Sequence, residues 1–255
     1  MCAVEKPGFF RGLRALFGGL GWLITTPSAW PLAMVPFLIA LLLMSGFGYA
    51  SYAYVPELVE DWLGRGDAWY ASLGITVLTV VGVLLGWILS VLLGLGLAQP
   101  ISGPALEGLV RKKERELGAP ARPESSLPTE IWRSLQSLLV GYAFGLPALA
   151  LLFLLSLIVP AASVVLFPLK LLVAATMAAW DLCDYPLSIR GIPVAERVRT
   201  LRRHKGAVLG FGLGLALAGL IPMMLFLLLP AGVAGATRLL HEIELYEGPS
   251  PPPAV

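Results

Sequence analysis

Four long apolar stretches, separated by polar segments, dominate the chain between residues 30 and 237. The first, Trp30 to Tyr54, is long enough to cross a hydrocarbon core of ~30 Å at ~1.5 Å per residue. The second, Ala71 to Ala98, has 28 residues and no charge, and it predicts a second crossing. Leu135 to Trp180 and Gly206 to Thr237 are interrupted by Pro147, Pro160 and Pro168 and by Pro222 and Pro230. The sharpest reversal is expected at IVPAAS, around Pro160. The arm Gly206 to Ile221 has only 16 residues, short of the ~20 a spanning helix needs.

Two all-α membrane architectures follow. One has two full transmembrane helices plus two proline-broken, re-entrant helical hairpins; the other is a six-helix bundle. The short arm favours hairpins. Either way, residues 1–240 read as one membrane domain and 241–255, ending GPSPPPAV, as a disordered tail.

The polar segments refine this picture. In residues 1–28, Phe9, Leu13, Leu16, Phe17 and Leu20 recur at spacings of three and four around Arg11 and Arg14, as in a helix lying on a membrane surface. Between Gln99 and Ser134, Pro104 after Gly103 marks a helix start and Gly118 a stop, with APARPESSLP as a linker. In Asp181 to Lys205, the residues Val194, Val198 and Leu201 form the apolar face of a short helix.

Composition agrees: 57% of residues are hydrophobic and 13% charged, against about 25% charged in soluble domains. Charge placement then sets orientation. Asp181 to Lys205 carries six of the eighteen lysines and arginines, and basic segments of membrane proteins stay cytoplasmic. The loop from Val55 to Tyr70 holds Glu57, Glu60, Asp61 and Asp67 against Arg65 alone, so it belongs outside. Both proline-broken tracts begin beside basic segments, so each enters and leaves on the cytoplasmic side, with both termini there too.

Much chemistry is excluded. Cys2 and Cys183 form neither a disulfide framework nor a metal set. The two histidines, His204 and His241, have no nucleophile or carboxylate at motif spacing, and there is no phosphate loop or zinc pattern. No enzyme, cofactor, metal or nucleic-acid partner is expected.

The run CDYP at Cys183 to Pro186, then IPVAERVRTLRRHK, then Ile221–Pro222 and PAGVAGAT at Pro230 to Thr237, resembles the CysZ sulfate-permease family, which includes the eukaryotic etoposide-induced membrane proteins. The likeness extends back through LAQPISGPALEGLVRKKEREL to the N-terminal GLR. It implies an oligomeric bacterial inner-membrane protein with two spans and two partly penetrating hairpins, passing sulfate inward for cysteine synthesis. It also implies an anion-contacting Gly-Leu-Arg turn, here Gly12, Leu13 and Arg14. Where some members follow with a second arginine this chain has Ala15, and Arg11 is the nearby alternative.

Sulfate passage requires N–H donors and positive charge in place of water without trapping the ion. Arginine forks and open helix-start amides supply both. For Arg14 the alternative role is a lipid-headgroup contact. Glu107 and Arg111, four apart, are either a surface pair or part of a pore. Lys170 lies inside an apolar tract, where an ammonium costs about 2.5–3.5 kcal/mol at mid-membrane, so it is a functional suspect. Asp184 is read as pairing with a nearby arginine or handling protons. Arg197, Arg199, Arg202 and Arg203 are expected to set topology and touch anionic lipid, with Arg202 also near a pore mouth. A membrane scaffold that transports nothing is the competing function.

Overall fold

The computed structural model describes residues 6–64, 69–119, 127–221 and 224–248, and every element of regular structure among them is helical. Nine α-helices follow in order: α1 Phe9–Thr25, α2 Trp30–Leu63, α3 Trp69–Ile101, α4 Gly103–Glu116, α5 Leu127–Ile158, α6 Ser163–Ile189, α7 Val194–Arg203, α8 Lys205–Ala218 and α9 Leu225–Glu247. Arg65, Asp67, Pro222, Cys2, residues 120–126 of the APARPESSLP linker and residues 249–255, all used in the sequence reading, lie outside the described residues.

Among the described residues four segments are long and apolar enough to cross a membrane: Pro27–Leu63, Ser72–Ile101, Leu139–Ile158 and Pro160–Ile189. α8 has 14 residues, about 21 Å at ~1.5 Å per residue, shorter than a hydrocarbon core. The two proline-broken tracts therefore differ: both arms of the first have spanning length, and the leading arm of the second does not.

Only some prolines interrupt their helices. Pro160 opens a 3₁₀ turn, Pro160–Ala162, between α5 and α6, so the expected reversal is present. Pro147, Pro168 and Pro230 instead sit within α5, α6 and α9. Pro56 likewise sits inside α2, which carries Glu57, Glu60 and Asp61 on its last turns rather than in a loop. In an apolar setting a helix is the cheapest way to satisfy backbone polar groups, so it tolerates a missing donor. α9 also continues through His241 to Glu247, past the expected start of the tail. The stop at Gly118 is present, with φ +75 where only glycine is unstrained.

Backbone contacts gather the chain into two compact units: Met34–Ser102, and Met1–Ala33 with Gly103–Val255. Within the first, Gly94 meets Ala40 and Met44, Gly86 meets Ser51, and Gly82 meets Val55. As the α3 number falls the α2 number rises, so the pair is antiparallel and meshed through small residues.

In the larger unit α8 and α9 form the centre, packed by α1 and α6, with α4 against α9. Its core includes Leu16, Leu106, Leu109, Val110, Phe211, Leu215, Val233, Leu239, Leu240 and Ile243. α1 does not simply lie on a surface. Its buried residues are Gly12, Ala15, Leu16, Gly19, Trp22 and Leu23, whereas Phe17, on the apolar stripe expected to face the membrane, is 60% exposed. α1 thus packs on the protein through Gly12, Ala15 and Gly19 together with Leu16, Trp22 and Leu23, and leaves Phe17 outside.

Candidate functional site

Gly8 caps α1, and its carbonyl accepts from the amides of both Arg11 (3.1 Å) and Gly12 (3.2 Å). The Gly12–Leu13–Arg14 triplet therefore lies inside the helix, and the Gly12 amide is already engaged. The open amides at the helix start belong to Phe9 and Phe10, ahead of the triplet. Gly12 serves packing instead: a Cβ there would fall 1.8 Å from the Ala207 carbonyl oxygen of α8. Leu13 is half-buried beside Gly214.

Arg14 is exposed and makes no hydrogen bond or ion pair with any described residue. Arg11, three residues earlier, is half-buried. Ala15 is 3% exposed, with its carbonyl oxygen 2.7 Å from where a Cβ on Gly235 of α9 would lie. An arginine at this position would have to wedge α1 from α9, which explains the small residue here.

The sequence reading missed Arg238 of α9. Its Nη1 lies 2.9 Å from where a Cβ on Gly18 would be, one turn beyond Arg14 on α1. Its Nε donates to Glu242 Oε1 at 3.1 Å. Two guanidinium groups thus occupy neighbouring turns along α1. Only contact between helices distant in sequence brings them together, so no local spacing announced it.

Ion pairs join α4, α7 and the C-terminal ends of α6 and α9. Arg111 donates to Glu107 through Nε at 2.7 Å and also through Nη2, as the four-residue spacing predicts; Glu107 itself is buried. Asp184, fully buried, pairs with Arg197 Nη1, and Arg197 is only 2% exposed. The pairing expectation for Asp184 holds, but Arg197 faces the interior and not lipid. Arg190 was missed as an individual: its Nε donates to Glu114 Oε1 at 2.9 Å and its Nη1 to Glu244. It thereby fastens α4 and α9 to the end of α6. Its position immediately before Gly191, at the close of an apolar tract, was the available signal.

Lys170 lies within the apolar α6, and its ammonium sits 4.3 Å from the centre of the Phe153 ring of α5. The ring face supplies part of what water would. Arg202 is exposed and lines a cavity of about 410 Å³ with Lys205, Thr176, Trp180 and Leu201. The structure thus brings Gly12, Leu13 and Arg14 onto one turn of α1 and Glu107 onto Arg111. Lys170, Asp184 and Arg202 each stand in separate surroundings.

His204 is buried between α7 and α8, with Nδ1 3.3 Å from the Thr200 carbonyl oxygen and 3.8 Å from Glu247 Oε1. Cys183 is buried and in no disulfide. Among the described residues no group of three or more histidines, cysteines and carboxylates is placed to hold a metal ion.

These features define a multi-pass helical membrane protein with paired charges among its shorter helices and an unpaired arginine on its first. Residues 15–230 match the family described as Sulfate transporter CysZ/Etoposide-induced protein 2.4, and the chain belongs to that family. The match begins immediately after Arg14. A protein of Pectobacterium atrosepticum named sulfate transporter CysZ is 27% identical over 227 residues, covering 86% of this chain and 81% of the relative. One of the same name from Vibrio cholerae serotype O1 is 26% identical over 221 residues, covering 85% and 88%.

Proposed function

We propose that this protein passes sulfate or a related oxyanion into the cytoplasm and is a permease, not an enzyme. The observation that carries this reading is its likeness, over more than four-fifths of its length, to relatives named sulfate transporter CysZ. Arg14 lends chemical support. It is an exposed guanidinium with no described partner, and such a fork can give an oxyanion two parallel hydrogen bonds. Arg238, over the next turn at Gly18, adds a second positive group. Gly12 and Leu13 hold this segment of α1 against α8, and Arg11 flanks it.

The proposed setting is a bacterial inner membrane, with both termini cytoplasmic and several copies assembled together. In this reading α2 and α3 span fully, and α5–α6 and α8–α9 enter as hairpins from the cytoplasmic side. The 14-residue length of α8 supports partial penetration for the second hairpin. Sulfate so delivered would feed assimilation into cysteine.

Energetics shape the mechanism. Drawing a dianion inward against an interior-negative potential costs about 4.6 kcal/mol per 100 mV, from roughly 2.3 per charge. A channel would then depend on rapid consumption of sulfate, whereas entry with two or more protons would cancel the penalty.

Radioactive sulfate uptake into proteoliposomes, with and without a pH gradient, tests the proposal. Uptake that falls at least tenfold in Arg14→Ala is the expected result, and stimulation by an inward proton gradient would mark coupled entry. Absence of sulfate flux in well-folded protein would overturn the permease reading.

A further inference from the structure

α5 and α6 cross through small residues. A Cβ on Gly141 would fall 2.8 Å from Trp180 Cδ1, and one on Gly145 would fall 2.1 Å from Met177 Sδ. The Trp180 and Met177 side chains therefore lie directly on α5, and open grooves remain on either side. One, of about 410 Å³, runs between α6, α7 and α8; the other, of about 420 Å³, runs between α5 and α6. Both are lined in part by Thr176, Trp180 and Val198, and each falls within the range of about 300–1,000 Å³ typical of ligand sites.

The chemistry of the linings differs at one place. The α5–α6 groove has no charged residue, and the other has two, Arg202 and Lys205. Both are exposed and neither meets a carboxylate among the described residues, unlike Arg190 and Arg197. Thr176, the polar residue common to both grooves, already donates its hydroxyl to the Leu172 carbonyl at 2.9 Å. Two oily channels thus share Trp180, with positive charge at the rim of one.

Depth fits the same picture. Trp180 closes the apolar tract, directly before Asp181 and the basic segment that runs to Lys205. Tryptophan favours the headgroup boundary, where its ring is half in oil and half wet.

We propose that these grooves form a binding site for one anionic phospholipid, with its two acyl chains on either side of Trp180 and its phosphate between Arg202 and Lys205. The site does not depend on sulfate transport, and its readout is separate from flux.

The test is native mass spectrometry of the full-length protein released from nanodiscs of equal phosphatidylglycerol and phosphatidylcholine. Retained phosphatidylglycerol is expected, falling about 30-fold in Arg202→Gln/Lys205→Gln, since each basic residue near an anionic headgroup contributes about 1 kcal/mol. Arg115→Gln, on α4 and lining neither groove, should leave retention unchanged. As a second measurement, phosphatidylglycerol with brominated chains should quench the fluorescence that Trp180→Phe removes. Equal retention of both lipids, retention unaffected by the double substitution, or no quenching of Trp180 would each overturn the site. So would full displacement by inorganic phosphate, which would mark a free-anion site, or crosslinking of Trp180 to a second copy, which would mark a protein interface.

Discussion

Asp184 and Arg197 are both withdrawn from water, so their ion pair is better judged by what happens when it is broken than by its net strength. Removing one partner of a buried pair leaves the other as an uncompensated charge, typically at about 3–5 kcal/mol. Asp184→Ala and Arg197→Ala should each destabilise the protein by about that amount in detergent unfolding, and the double variant should lose less than the sum. Arg199→Ala, on an exposed face of the same short helix α7, should change stability by no more than about 0.5 kcal/mol. Sequence showed that Asp184 had arginines nearby, but it could not single out Arg197 among them. Helix periodicity gave the clue: Arg197 lies four residues before Leu201 and three after Val194, within the apolar stripe that the same reading had drawn. Lys170 teaches the same lesson, because its relief comes from Phe153, a neighbour on another helix.

Among the helices, small residues decide who touches whom. Cβ atoms on Gly12, Gly19, Gly210 and Gly212 would fall 1.8, 2.2, 2.0 and 2.0 Å from carbonyl oxygens of Ala207, Ala231, Phe9 and Ala175 respectively. Each obstacle is backbone and cannot swing away. Gly12→Ala and Gly212→Ala should therefore each push two helices apart and cost about 1–3 kcal/mol, as overpacking does, visible as a lower unfolding midpoint in detergent. Gly18→Ala is the contrasting case. There the obstacle is the far end of Arg238, which can move, so stability should hold while any contribution of Arg238 to sulfate binding weakens. Helix existence, the α4 start and stop, and the turn at Pro160 were all legible in the sequence. The packing face of α1 was not, because a hydrophobic pattern weights bulky side chains and is silent about glycine.

Across the whole molecule, the lengths of the apolar runs and the segregation of charge carried most of what could be read from sequence. The larger unit draws on both ends of the chain, Met1–Ala33 and Gly103–Val255, a pairing of distant segments that no local pattern announces. If α5–α6 enters and leaves on the cytoplasmic side, reporter tags placed after residues 120 and 195 should label from the same compartment, and a tag between residues 65 and 68 should label from the other. Opposite labelling at 120 and 195 would require an odd number of crossings between them and would remove the hairpin topology. Arg190 adds a stability prediction at this scale. Arg190→Ala releases α4 and α9 together, so it should lower stability by about 3–5 kcal/mol, as the loss of one partner of a buried pair does, and exceed the effect of Glu244→Ala, which leaves Glu114 in place.

The seating of α1 on α9 has a bearing on how the chain is made. Gly19 rests on the Ala231 carbonyl, and Gly235 rests on that of Ala15, so α1, already able to dock on α8 through Gly12, completes its packing only after α9 has been made. Until then its exposed Phe10, Phe17 and Ile24 edge is suited to rest in lipid. A ribosome stalled before residue 231 would hold a polypeptide that is threaded into the membrane yet still open at its centre.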